Sequence, residues 1–130
     1  MVRIFIVDDS AIARAALRAA LEQRSEWVVV GEAVDGHHAL ATFHLHTPHL
    51  TLMDFIMPQM NGLETARLLN QRHPDVLILM VTTDPSKQLE IEARRVGVRG
   101  VCAKNEIQCL LKAVEIVMDG GTYFSEDAAA

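Results

Sequence analysis

Leu50-Thr51-Leu52-Met53-Asp54-Phe55-Ile56-Met57-Pro58-Gln59-Met60-Asn61-Gly62 is the stretch that decides the fold. It opens as a short, mostly apolar run, stops at a lone carboxylate, and passes into a loop with proline and glycine. Such a run, bounded by turn residues, reads as a strand buried on both faces. The loop behind it holds the backbone close to whatever Asp54 meets. Four more runs of this kind occur, at residues 3–7, 27–32, 76–81 and 100–103. Helix-like stretches lie between them. The alternation predicts an α/β domain of five βα units around a parallel sheet covered on both faces.

The residues that end these runs are chemically unusual. Asp8-Asp9 follow the first, Asp54 the third, Thr82 the fourth and Lys104 the fifth. In an open parallel sheet the C-terminal strand ends face a common crevice. Three carboxylates gathered there repel one another. A divalent cation relieves the repulsion, and Mg²⁺ prefers carboxylates together with phosphate oxygens. A hydroxyl and an ammonium complete a cradle for phosphate. Each residue alone has a plainer reading, since Asp and Ser are also favoured helix N-caps. Together they point to a phosphoryl group carried on an aspartate.

The helices are expected at about 10–22, 36–46, from 61 to before Pro74, from Asp84-Pro85 to Gly97, and 106–118. In the first, Arg14, Arg18 and Glu22 share a wet face at i, i+4 spacing. In the fourth, Asp84 is expected as N-cap and Pro85 at the first helical position. The fifth carries a core stripe of Ile107, Leu110, Leu111, Val114, Val117 and Met118. Cys109, Ala113 and Ile116 form a second apolar stripe, expected as a contact surface for a homodimer. Ile91 points away from the core of the fourth helix.

Composition sets the remaining bounds. The chain has 130 residues, half of them hydrophobic, and a formal net charge of −5. The length fits one domain, expected over residues 1–124 with 125–130 as the start of a tail or linker. The negative charge is the wrong sign for a domain that itself grips nucleic acid. No apolar run is long enough to span a membrane, and no secretory signal is visible. The two cysteines, Cys102 and Cys109, have no metal spacing and read as reduced, in keeping with a cytoplasmic protein. Five histidines, His37, His38, His44, His46 and His49, fall in or just after the second helix. None are spaced H-x-x-x-H, so they read as a wet helix face and not as a zinc site.

Taken together, Asp8-Asp9, Asp54 with its Met-Pro-Gln-Met-Asn-Gly loop, Thr82 and Lys104 resemble the receiver domain of two-component response regulators. The resemblance runs from Arg3 to about Phe124. It implies a flavodoxin-like, doubly wound (βα)5 fold with strand order 2-1-3-4-5. It also implies phosphotransfer from a sensor histidine kinase to Asp54, with Mg²⁺ or another divalent cation such as Mn²⁺. Asp9 is expected as direct metal ligand, Asp8 as a ligand through water, and the backbone carbonyl of Ile56 as a further oxygen. Lys104 and Thr82 would contact the phosphoryl oxygens, and Thr82 would switch the surface of the fourth helix, fifth strand and fifth helix. The family usually carries an aromatic residue three positions before the lysine; here it is Val101. Such a domain catalyses its own phosphorylation and dephosphorylation but serves mainly as a signalling switch. Ile56 and Asp84 flank the site and are expected to tune the phosphoryl lifetime. Residues 117–125 and Lys104-Asn105 resemble the LuxR/NarL-type subgroup, whose output is transcription through a separate DNA-binding domain.

Three other readings compete. Haloacid-dehalogenase-like phosphatases place D-x-D after the first strand, where this chain has consecutive aspartates. Flavodoxin-type electron carriers need a Ser/Thr/Gly-rich phosphate loop after the first strand, which is missing here. A pseudo-receiver would act as a protein-interaction module without phosphotransfer.

Overall fold

Each apolar run pairs with its neighbours as a parallel strand, and the computed structural model describes residues 1–129, with side chains through Asp127. Ala130, the end of the expected tail, lies outside the described residues. The strands are β1 (Val2–Val7), β2 (Trp27–Ala33), β3 (Leu50–Asp54), β4 (Ile78–Thr82) and β5 (Gly100–Ala103). They alternate with α1 (Ala11–Leu21), α2 (Gly36–His46), α3 (Gly62–Arg72), α4 (Lys87–Arg95) and α5 (Ile107–Met118), and a short α6 (Ser125–Ala129) follows. The sheet order is β2-β1-β3-β4-β5, as the resemblance implies.

Alternation along the strands divides the core into two layers. Phe5, Val7, Met53, Ile78, Met80 and Val101 face α2, α3 and α4. Ile4, Ile6, Leu50, Leu52, Leu79, Val81 and Cys102 face α1 and α5. Each large side chain so buried contributes about 1.5–3 kcal/mol of transfer free energy. Every residue of β3 and β4 is buried, so the strands that end in Asp54 and Thr82 sit at the rigid centre. Four helices begin on a side-chain cap: Ser10, Asp35, Asn61 and Ser86 each accept from the backbone N–H three residues on. Gly97, at φ 91, supplies the left-handed residue just past α4.

Several expectations are corrected. α4 starts at Lys87, and its N-cap is Ser86 in place of Asp84, with Ser86 Oγ 3.1 Å from Leu89 N. Asp84 instead belongs to the turn after β4, where its N–H faces Thr82 Oγ1 at 3.4 Å. The second stripe of α5 is not a free surface. Ala113 is fully buried in the layer facing α1, and Cys109 and Ile116 are half-buried. Ile116 lies close under Gly121, where an added Cβ would come within 3.0 Å of its Cγ2, because the chain folds back at the end of α5 with Gly121 N donating to Ile116 O at 2.9 Å. Ile91 is exposed, as expected.

The arginine face of α1 is wet only in part: the Arg18 and Glu22 side chains are 40% and 37% exposed and lie 3.7 Å apart at i, i+4, as expected, while Arg14 is 15% exposed and both arginines pair with Glu32 of β2. The histidines divide: His37, His44 and His49 are exposed as expected, whereas His38 and His46 are half-buried. His46 stacks on Phe5 with ring centroids 4.9 Å apart, and His49 Nδ1 accepts from Arg3 N at 2.9 Å. His38 Nδ1 accepts from Val34 N at 3.1 Å.

Where the tail is expected to begin, residues 122–127 lie against the β5 edge and α4. Tyr123 N donates to Arg99 O at 2.9 Å, and Val101 N donates to Tyr123 O at 3.0 Å. Phe124 is buried under the Arg94 guanidinium, and Ser125 N donates to Glu90 at 2.6 Å.

The placement of the α4 cap is testable. Ser86→Ala should destabilise the protein by about 1 kcal/mol, while Asp84→Ala should change it little. Urea unfolding of the two variants distinguishes the observed cap from the one the sequence suggests.

Candidate functional site

β1, β3, β4 and β5 deliver their end residues to one crevice because parallel strands in register end at one level. Asp54 pairs with Val81, and Thr82 with Ala103. The chain then turns so that Lys104 N donates to Thr82 O at 2.8 Å. Carboxylate oxygens of Asp8, Asp9 and Asp54 all lie within 4.8 Å of one another. Asp8 and Asp54 are buried, at 1% and 6% exposure, and Asp9 is exposed.

Lys104 answers this crowding. Its Nζ lies 2.6 Å from Asp8 Oδ2 and 3.4 Å from Asp54 Oδ1. The short contact makes Lys104 the partner of the buried Asp8 Oδ2. Asp8 Oδ1 accepts from Ser10 N at 2.9 Å. Three converging carboxylates facing one ammonium leave negative charge that a divalent cation would offset, and this donor set fits Mg²⁺.

The electrostatics follow from burial and charge. Burial, reinforced by the charge of Asp8, pushes the Asp54 carboxyl up to about 6 against the opposing pull of Lys104. For Lys104, burial disfavours the ammonium, but the carboxylates of Asp8 and Asp54 outweigh it and hold the group above its usual value. The site therefore pairs a strained carboxylate with a firmly charged ammonium.

The loop after β3 folds tightly beneath Asp54. Gly62 N donates to Phe55 O at 2.7 Å. A Cβ at Gly62 would come within 2.2 Å of the Asp54 carbonyl oxygen, so only glycine fits. Gln59 takes φ 68 at the centre of a three-residue turn closed by Met60 N to Pro58 O at 2.7 Å. Ile56 sits in this loop with its side chain exposed at 66%. Thr82 is buried beside the crevice. Val101 is not in the crevice; it packs in the layer that also holds Leu89, Ala93 and Phe124.

One surface beside the site escaped the sequence reading. On α1, Ile12 is exposed at 85%, and Ala15, Ala16 and Ala19 are exposed in line with it. The i, i+3, i+4, i+7 spacing was present in the sequence, but alanines carry too little apolar signal to tell which of two faces turns outward.

The comparisons with known proteins agree with this geometry. The family described as response regulator receiver domain matches residues 4–115. The transcriptional regulatory protein DegU of Brevibacillus brevis is 32% identical over 94% of this chain and 52% of its own length. The response regulator UvrY of Escherichia coli K12 is 32% identical over 99% of this chain and 60% of its own length. The chain thus spans about half to three-fifths of the curated relatives it matches. Among solved structures, a LuxR-family two-component response regulator from Aurantimonas sp. SI85-9A1 superposes with a TM-score of 0.91 at 30% identity, covering 98% of this chain and 91% of that one. The receiver domain of NarL from Mycobacterium tuberculosis gives 0.84 at 28% identity, covering 92% and 97%. With its strand order, its strand-end acids and a family match over most of its length, this chain belongs to the response regulator receiver domains.

Proposed function

We propose that Asp54 accepts a phosphoryl group from the phosphohistidine of a sensor histidine kinase, and that Thr82 and Lys104 register its arrival. The observation that carries this reading is the convergence of Asp8, Asp9, Asp54 and Lys104 in a single crevice. An Asp54 carboxylate oxygen attacks phosphorus as the P–N bond to the kinase imidazole breaks. The electron pair leaves with the imidazole nitrogen, and an acyl phosphate results. Asp9 would ligate Mg²⁺ directly, Asp8 through water, and the Ile56 carbonyl would add an oxygen. Bound there, Mg²⁺ offsets the negative charge that gathers around the transferring group.

Lys104 is already an ammonium between two carboxylates and needs only a small shift to meet a phosphoryl oxygen. The Thr82 hydroxyl, which faces Asp84 N at a long 3.4 Å, is free to donate to another. Moving Thr82 displaces the turn that leads into α4, and with it the face made by α4, β5 and α5. Ile56 and Asp84, both exposed on the segments that follow β3 and β4, would tune how long the acyl phosphate survives.

The exposed apolar row on α1 beside the crevice suits a kinase helix. Association of two copies after phosphorylation is a further part of the reading. Among the described residues no helix is long and apolar enough to cross a membrane, and a cytoplasmic setting suits a kinase-facing switch. The output we assign is transcription, exerted through a DNA-binding unit outside these residues, because matched relatives are described as transcriptional regulatory proteins.

Incubation with acetyl phosphate and Mg²⁺ should add one phosphoryl group, mapped by mass spectrometry to Asp54 and abolished in Asp54→Asn. Labelling that persists in that variant would reassign the nucleophile, and no labelling of the parent would leave an interaction module. In the same experiment Asp9→Ala should weaken Mg²⁺ binding more than Asp8→Ala.

Linkage gives an independent check. The Asp54 carboxyl rises from 3.8 in the unfolded chain to about 6 in the fold. The folded state therefore holds the proton more tightly, and stability falls as pH rises between these values. The shift corresponds to at most about 3 kcal/mol. In metal-free buffer, Asp54→Asn should raise stability above pH 6 by about 1–3 kcal/mol and flatten the pH dependence between pH 4 and 6. Urea titrations across that range measure both.

A further inference from the structure

Arg14 reaches the back of the acidic crevice. Its Nη1 donates to the backbone carbonyl of Asp8 at 2.8 Å, and its Nε donates to Glu32 Oε1 at 2.8 Å. Arg18 occupies the other Glu32 oxygen, with Nε at 3.0 Å and Nη2 at 2.6 Å. The Arg14 side chain is only 15% exposed and Glu32 28%. Glu32 lies near the end of β2, level with Ile6 of β1, just before that strand passes into the Asp8-Asp9 turn. The hydrogen bond from Arg18 leads in holding the Glu32 carboxyl below its usual range; burial opposes it, and Arg14 adds to it. Glu32 is therefore a fixed anion that locks Arg14 in place.

The turn carrying Asp8 and Asp9 is pinned at several atoms. Asp8 N donates to Ala33 O at 3.1 Å, Asp8 Oδ1 accepts from Ser10 N, and the Asp8 carbonyl accepts from Arg14. That carbonyl belongs to the planar peptide unit that leads into Asp9. Clamping it fixes the direction in which the Asp9 side chain leaves the backbone. No side-chain hydrogen bond to the Asp9 carboxylate is found among the described residues, so its aim depends on this backbone.

We propose that Arg14, held by Glu32, is a positioning residue for the Asp8-Asp9 pair, and that it raises the affinity of the crevice for a divalent cation despite its own positive charge. This rests on the reading of the crevice as a metal-dependent phosphoacceptor site. The sign of the effect makes it distinctive. A guanidinium near a cation site opposes the cation by simple Coulomb repulsion, so deleting it should tighten binding. If Arg14 only stabilised the fold, its loss would lower the melting temperature and leave the affinity of the folded protein unchanged. A positioning role alone predicts weaker binding.

The test is isothermal titration of Mg²⁺ into the full chain at fixed ionic strength, well below the melting temperature, for the parent, Arg14→Gln, Arg14→Lys and Glu32→Gln. Arg14→Gln is expected to raise Kd about fivefold, which converts to about 1 kcal/mol. Glu32→Gln should shift Kd the same way by less, and Arg14→Lys should recover part of the loss by reaching the Asp8 carbonyl. In the metal-free protein the amides of Asp9 and Ser10 should exchange faster in Arg14→Gln. Unchanged or tighter Mg²⁺ binding in folded Arg14→Gln overturns the role of Arg14 while leaving the site intact. If Arg14→Gln does not fold, Arg14→Lys decides, since it keeps the charge: Mg²⁺ binding unchanged or tighter than in the parent overturns the role. A parent that binds no Mg²⁺ overturns the reading of the site, and this proposal with it.

Discussion

Three carboxylates face one ammonium at the end of an apolar sheet, and the rest of the molecule is arranged around that imbalance. Buried like charges are tolerated only when their surroundings are too rigid to let them separate. The rigidity comes from β3 and β4, which are buried along their whole length and packed on both sides. Gly62 adds to it by bringing the loop backbone directly against the Asp54 carbonyl. Asp54 cannot move away from its neighbours, and burial first, with the charge of Asp8 added, raises its proton affinity. A site stressed in this way gains from any cation or covalent group that redistributes the charge.

The same rigidity determines which parts can respond. Thr82 ends the last wholly buried strand, and the residues from Thr83 to Gln88 are exposed. The turn is short, and α4 begins at Lys87, so a displacement at Thr82 has little chain in which to dissipate. Val101 lies farther along, in the layer it shares with Phe124. A β-branched side chain has few χ1 states to exchange, so a swing of the kind an aromatic residue performs has no counterpart there. α4 touches residues 122–127 directly, through Glu90 to Ser125 and Arg94 to Phe124 and Glu126.

The sheet and its acidic crevice were legible because they rest on local, repetitive signals. Apolar runs that stop at Asp8, Asp54, Thr82 and Lys104 mark both the strands and their common edge. What was not legible depends on tertiary placement. Asp84-Pro85 is as good a helix start by composition as Ser86, and only the path of the turn after β4 decides between them. Ala113 flanks the obvious stripe, three residues after Leu110 and four before Val117, and α5 packs on the sheet and also against α1 beside it, so it buries a wider arc than the stripe alone. Arg14 and Arg18 have the spacing of a solvated face, and nothing in that spacing shows that β2 brings Glu32 within reach. His46 reads as a surface residue in the sequence because its stacking partner, Phe5, lies more than forty positions away.

The two edges of the sheet have a consequence for how copies of this protein meet. On one side, the backbone of Tyr123 pairs with the start of β5 and occupies hydrogen-bonding groups an edge strand would otherwise offer. On the other, β2 carries an extra residue where the register passes from Ile4–Val29 to Phe5–Gly31, which breaks the ladder and twists the strand. Neither edge is a flat template for a foreign strand. Growth of the sheet from molecule to molecule, the usual hazard of a Val- and Ile-rich core, is blocked at both ends. Any association between copies is left to the helix surfaces.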